Sequence, residues 1–190
     1  MATTHEHLTP PVRAWIERQQ MFFVSTAPLA AEGHVNVSPK GLDSLRILGE
    51  HRVAYLDMTG SGAETIAHVR ENGRISLMFC AFDGPPRIVR LQGRGTVALP
   101  GTPHWDGLIG EFPQSRGQRA IIEIECDRVS DSCGYSVPLY DYVGQRGKLA
   151  EWADHKTDDE LVAYRRAKNA VSIDGLPAYP SLEMGGPQPA

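Results

Sequence analysis

Residues 52–73, RVAYLDMTGSGAETIAHVRENG, pass from a strand pattern to a helix pattern across a pair of glycines. Residues 52–58 are apolar nearly throughout, as in a buried strand, and residues 62–72 follow a helical pattern. Gly73 stands where a helix C-terminal glycine belongs. This is the one helix predicted among the strands, whereas a parallel sheet needs repeated crossover helices. The stretch therefore favours an antiparallel sheet with one inserted helix.

The flanking sequence extends this pattern in both directions. Strand patterns occur at residues 21–27, 34–38, 74–82, 88–99 and 119–129, and helix patterns at residues 11–20, 148–155 and 157–170. Turn signals at residues 28–33 and 83–86 predict two hairpins. Thr157 and Glu160 have the spacing of a capping box. We predict a mainly β (α+β) fold, a small six-stranded antiparallel barrel with flanking helices.

Composition sets the class of protein. The 190 residues are 41% hydrophobic and carry a net charge of -4, which argues against a nucleic-acid or anionic-membrane partner. The three cysteines match no zinc motif, so no metal is predicted, and they suggest inert thiols in a reducing compartment. No apolar run approaches the roughly 18 residues of a membrane span. A cytoplasmic, soluble protein is expected.

A first candidate site follows from residues 34–41, HVNVSPKG. Alternation places Asn36, Ser38 and Lys40 on one face of the strand, and Pro39 marks a strand end or edge. These residues can form a solvated outer face that ends in a turn. Alternatively, they form a polar rim beside an aromatic ligand, with Lys40 supplying positive charge.

A second candidate site is the segment 59–65, TGSGAET. Ser61 and Glu64 have capping-box spacing, and the free amides of a helix start attract phosphate. Two glycines permit close backbone approach, and nearby hydroxyl groups can add donors. The segment lacks the phosphate-loop and dinucleotide signatures. A capped helix without a ligand remains the alternative, and Asp57 either lies near the ligand or caps its own turn.

Basic side chains cluster in the middle of the chain at Arg70, Arg74, Arg87, Arg90 and Arg94. Most of them are expected at the surface. Each is also a candidate for a phosphate contact.

Six motifs occur in a characteristic order: MFFVSTA (21–27), NVSPKG (36–41), LDMTGSGAET (56–65), RENGR (70–74), MFC (78–80) and GPPR (84–87). In this order they resemble the pyridoxamine 5′-phosphate oxidase-related family of FMN-binding split barrels, over about residues 12–129. The resemblance implies a six-stranded split barrel and a homodimer with FMN at the subunit interface. It places the phosphate at residues 59–65 and the ring along residues 36–40. Gly62 and Ala63 stand where the true oxidase has Arg and Lys, so amides, Lys40 or another arginine must meet the phosphate charge.

The resemblance and the residues together give a set of predictions. Residues 1–130 form the FMN-binding barrel, and residues 131–190 form a C-terminal extension with helices, part of the same domain. We expect an FMN-dependent oxidoreductase acting on a small molecule of unknown identity, with no catalytic residue assigned. The alternatives are a flavin-binding or electron-carrier module without turnover, or a relative that binds deazaflavin or haem. The predicted cofactor-binding residues are Asn36, Ser38, Pro39, Lys40, Gly41, Asp57, Thr59, Gly60, Ser61, Gly62, Glu64, Thr65 and Arg87.

Overall fold

The fold is one antiparallel sheet curled into a split barrel. It is given by a computed structural model that describes residues 3–179. The strands are β1 (Thr3–His5), β2 (Phe22–Thr26), β3 (Asn36–Lys40), β4 (Leu45–Ile47), β5 (Arg52–Met58), β6 (Arg74–Cys80), β7 (Ile88–Ala98) and β8 (Gln118–Ser132). Their order is β3-β2-β6-β7-β8-β5-β4, and β1 pairs with β8. The mainly β split barrel is confirmed, with seven strands on the continuous path rather than six.

Five helices flank the sheet: α1 (Pro10–Ile16), α2 (Glu64–Asn72), α3 (Pro103–Leu108), α4 (Lys148–Asp154) and α5 (Asp158–Lys168). All six predicted strands are present, and the second begins two residues later than predicted. The two additional strands, β1 and β4, have three residues each, too few for alternation to be recognised. Sequence patterns also missed α3, a short helix that the Thr102 side chain caps at the amide of Trp105.

β5 explains why residues 52–58 are apolar nearly throughout. Val53 and Tyr55 face the main core, which α2 covers, whereas Ala54 and Leu56 face a second cluster around α3. A strand covered on both faces has no solvent face to make polar. Asp57 shares the inward face with Val53 and Tyr55, so the barrel interior contains a carboxylate near one end of this strand.

Residues 133–147 are irregular and precede α4 and α5. The predicted capping box at α5 is confirmed, because Thr157 accepts from the Glu160 amide and Glu160 accepts from the Thr157 amide. Beyond α5, the chain returns to the barrel, where Arg70 donates to the carbonyl of Ala178. Residues 180–190 of the predicted extension lie outside the described part of the chain. Within residues 3–179, no helix has both the length and the apolar character needed to span a membrane.

Candidate functional site

Most of the predicted cofactor residues converge on two neighbouring cavities. The smaller, of about 170 Å³, is lined from the predicted set by Asn36, Ser38, Lys40, Asp57, Gly60, Gly62, Glu64 and Thr65. The larger, of about 670 Å³, is lined from that set by Pro39, Lys40, Gly41, Thr59 and Gly60. Lys40 and Gly60 line both cavities. The two separate sequence motifs are therefore one composite site.

A buried ion cluster lies beside the smaller cavity. Asp57 is 1% exposed, and its carboxylate accepts from Lys40 Nζ at 2.9 Å. It also accepts from Arg119 Nε at 2.9 Å and Arg119 Nη2 at 2.6 Å. Burial alone would raise the pKa of Asp57, but the two cations and their hydrogen bonds hold that pKa below its ordinary value. The cluster of two cations around one carboxylate carries a single net positive charge, and Glu64 adds a second carboxylate to the lining of the same cavity.

Arg119 lines the same cavity and was not among the predicted residues. Its Nη1 donates to the carbonyl of Gly62 at 2.7 Å, so it holds the loop as well as the carboxylate. The available signal was an arginine directly before the apolar run of residues 120–122 at the start of β8. That signal could not be interpreted without the pairing of β5 with β8, which sets Asp57 beside Ala120.

The predicted capping box of Ser61 and Glu64 is wrong. The helix begins at Glu64, with Ala63 as its N-cap and no side-chain capping bond. Ser61 lies two residues before the cap and is exposed, while Glu64 accepts from the Ile173 amide at 3.3 Å. Among described residues, the amides of residues 60–63 have no hydrogen-bond acceptor. The loop therefore offers a run of free donors at a helix N-terminus.

The hydroxyl groups at this site differ in availability. The Thr59 hydroxyl is buried, donates to the Gly117 carbonyl at 2.8 Å and accepts from Arg165 Nε at 2.9 Å. Its hydrogen bonds are therefore used within the fold rather than for a ligand. The Thr65 hydroxyl accepts from Asn36 Nδ2 at 3.0 Å and lines the smaller cavity, where a ligand would compete with the buried Tyr55 hydroxyl for its proton.

A strap of residues 142–149 covers the larger cavity. Gln145 fastens it: its Oε1 accepts from the Leu42 amide at 3.0 Å and its Nε2 donates to the Gln20 carbonyl at 2.8 Å. The walls include Met21, Leu56 and Leu149. Among the lining residues, the charged side chains are all cationic: Lys40, Arg146 and Lys148. The cavity suits a flat apolar group that carries polar or negative edges.

The arginines proposed from sequence lie elsewhere. Arg87 donates to Asp131 at 2.7 Å and lies over the Trp15 ring at 5.1 Å, and it lines neither cavity. Arg70, Arg74, Arg90 and Arg94 likewise donate to protein acceptors. Within this protomer, the positive charge at the small cavity comes from Lys40 and Arg119.

Comparisons with known proteins agree with this architecture. The sequence model for pyridoxamine 5′-phosphate oxidase matches residues 8–133. The pyridoxamine 5′-phosphate oxidase family protein ustO of Aspergillus flavus is 40% identical over 95% of this chain and 79% of its own. Among solved structures, HupZ of Group A Streptococcus has a TM-score of 0.52 at 20% identity, over 66% of this chain and 99% of its own. A Lactobacillus delbrueckii protein named for pyridoxamine 5′-phosphate oxidase has a TM-score of 0.50 at 15% identity, over 66% of this chain and 94% of its own. The chain therefore belongs to the pyridoxamine 5′-phosphate oxidase family.

Proposed function

We propose that this protein binds FMN non-covalently and acts as an FMN-dependent oxidoreductase on a small molecule. One observation carries the proposal. A run of free backbone amides and a net-positive buried ion cluster meet at a small cavity, beside a larger apolar cavity. FMN has two parts that match the two cavities: a dianionic phosphate and a flat ring system, joined by a ribityl chain. Family membership supports the same cofactor.

The residues fit the two parts of FMN. The amides of residues 60–63, the Thr65 hydroxyl and the charge of Arg119 would hold the phosphate. The ring would lie in the larger cavity, where the Gln145-fastened strap limits access of water. Lys40 lines both cavities and would favour negative charge at the edge of the ring. Bound FMN supplies the hydride or electron transfer, and the protein supplies orientation and electrostatics.

We further propose that FMN lies between the subunits of a homodimer. β3 is an edge strand that carries part of the site. Val35, directly before the strand, and Val37, within it, are 67% and 61% exposed. An apolar sheet edge of this kind is normally covered. Light scattering on the flavin-loaded protein is expected to give a dimer mass. A monomer that retains bound flavin would rule out the interface site.

We propose a cytoplasmic location, and the state of the cysteines supports it. Cys80 and Cys126 are buried, and burial raises the pKa of the Cys126 thiol to about 12, so neither is a reactive thiolate. Cys133 is exposed rather than buried. An exposed unpaired thiol is typical of a reducing compartment. Fractionation of the native source tests the location.

The purified protein tests the cofactor directly. We expect a yellow preparation with the two-banded visible spectrum of oxidised flavin, which bleaches on addition of a reduced nicotinamide donor. Excess FMN should also raise the melting temperature of any cofactor-free fraction, because a ligand that binds only the folded state stabilises it. A haem spectrum or a deazaflavin spectrum would assign a different cofactor. A flavin spectrum without turnover on any donor would indicate a carrier.

Ser61 lines neither cavity, but it lies within the loop whose amides would hold the phosphate, so replacing it by alanine is expected to weaken FMN binding but not riboflavin binding. Ser61 is exposed and does not cap α2, so the free energy of unfolding should change by less than about 0.5 kcal/mol. Fluorescence titration with both flavins, together with urea denaturation, measures the two effects separately. Equal weakening of both flavins would remove Ser61 from the phosphate site.

A further inference from the structure

The C-terminal helix α5 and its C-cap residue contact the proposed phosphate loop through one side chain each. Arg165 Nε donates to Thr59 Oγ1 at 2.9 Å, and Asn169 Nδ2 donates to the carbonyl of Gly60 at 2.9 Å. These residues lie more than a hundred positions after the loop. Neither of them lines the small or the large cavity.

Both side chains are themselves held in place. Arg165 Nη2 also donates to the carbonyl of Gln118 at 3.0 Å, and its guanidinium lies over the Tyr179 ring at 5.7 Å. Asn169 is completely buried, and the Tyr179 amide donates to its backbone carbonyl at 2.9 Å, whereas its side-chain Oδ1 has no hydrogen-bond partner among described residues. Complete burial and the fixed backbone therefore limit how far this side-chain amide can move away from Gly60. The contacts are therefore fixed anchors for the loop.

The oxygen atoms of the loop accept hydrogen bonds from the rest of the protein, while the backbone amides of residues 60–63 stay free to donate. Arg165 and Asn169 hold Thr59 and Gly60 from the α5 side, and Arg119 holds the Gly62 carbonyl from the β8 side. The amides of residues 60–63 have no acceptor among described residues. Such a loop is preorganised, because the entropy of ordering it is lost on folding rather than on binding.

We infer that Arg165 and Asn169 are positioning residues that give the site its preference for FMN over riboflavin. The inference rests on the proposed function, since it concerns the phosphate subsite of the same cofactor. The two residues act through Thr59 and Gly60, without touching the cofactor. This gives the C-terminal extension a role in cofactor selectivity.

The test compares Arg165→Met and Asn169→Ala with Arg166→Met in the full-length protein. Arg166 is the exposed neighbour on α5, and its side chain donates no hydrogen bond to a described residue, so it is a matched control. We expect each of these two clamp variants, Arg165→Met and Asn169→Ala, to weaken FMN binding about tenfold, as if the displaced loop lost one of its hydrogen bonds to the phosphate, while riboflavin affinity stays within about twofold. Arg166→Met should leave both affinities unchanged. Arg165→Lys should recover part of the FMN affinity.

A second readout does not depend on any flavin. Hydrogen exchange at the Thr59 amide, which donates to the Gly117 carbonyl at 2.7 Å, should be faster in both clamp variants than in the wild type without ligand. Thr157→Ala, which removes the N-cap of α5, controls for a general loosening of that helix.

Unchanged FMN-to-riboflavin ratios in the clamp variants, with wild-type exchange of the loop, would overturn the inference and leave the proposed function standing. A wild-type protein that binds neither flavin would overturn the proposed function. Even then, clamp variants whose loop exchanges at the same rate as in the wild type would contradict the positioning role.

Discussion

Replacing Arg119 by methionine is expected to cost about 3–5 kcal/mol of folding free energy and to abolish FMN binding, because it leaves a buried carboxylate short of a partner. Asp57 is 1% exposed, and two of its three hydrogen bonds come from Arg119. The variant also loses the bond that holds the Gly62 carbonyl. Urea denaturation and FMN titration measure the two losses.

A double-mutant cycle with Asp57→Asn separates the ion pair from general packing. The double variant should be less destabilised than the sum of the two single variants, because neither side chain is then left as an unpaired charge. An Arg119→Met protein within about 1 kcal/mol of wild type that still binds FMN would contradict the assigned role.

The same cluster predicts how stability depends on pH. The pKa of Asp57 is lower in the folded protein than in the unfolded chain, so its ion pairs stabilise the fold above the unfolded value of about 3.9. That contribution is lost as the pH falls through the lower, folded pKa. Asp57→Asn should therefore remove part of the acid sensitivity seen in denaturation curves below about pH 4.

In the flavin-loaded protein, Lys40→Met is expected to lower the midpoint reduction potential by tens of millivolts, where about 30 mV corresponds to 1.4 kcal/mol for two electrons. Lys40 Nζ is paired with Asp57 and its side chain is 23% exposed, so neighbouring charge and solvent both weaken its field. Removing Lys40 leaves Asp57 paired with Arg119 and takes one positive charge from the shared wall of the cavities. A less positive wall favours the reduced, more negative cofactor less strongly.

Lys148→Met is the matched control for this measurement. Lys148 also lines the larger cavity, but its side chain is 85% exposed and paired with Glu151. Its removal should change the potential by no more than a few millivolts, because solvent screens so exposed a charge. Equal shifts in the two variants, or no shift in Lys40→Met, would show that Lys40 does not tune the cofactor.

The sequence was sufficient for features that depend on local pattern. The strand-to-helix transition across residues 52–73 and the αL conformation of Gly73 are both observed, and so is the hairpin of β6 and β7. For these three features, periodicity or a turn residue determines the result within a few residues. Lys40 and Asp57 were both candidates for a position near a ligand, and the structure joins them in one ion pair.

Features that depend on distant parts of the chain were not predictable in this way. Ser61 has the spacing of an N-cap, but the N-cap lies two residues further along the chain. The Glu64 carboxylate accepts instead from the amide of Ile173 in the C-terminal extension. Arg119 and Arg165 reach the site through strand register and helix packing, which one sequence does not reveal. The sequence therefore left the phosphate charge to amides, Lys40 or another arginine, and the arginine chosen for the predicted set, Arg87, lines neither cavity.

The central claim is that the amides of residues 60–63, backed by Arg119 and Lys40, bind the phosphate of FMN. Equilibrium fluorescence titration of the cofactor-free protein with FMN and with riboflavin tests it most directly. Two or more charge-assisted hydrogen bonds to the phosphate should make FMN bind at least about 100-fold more tightly than riboflavin, at roughly 1.4 kcal/mol per factor of ten. Equal dissociation constants for the two flavins, or no binding of either, would contradict the account.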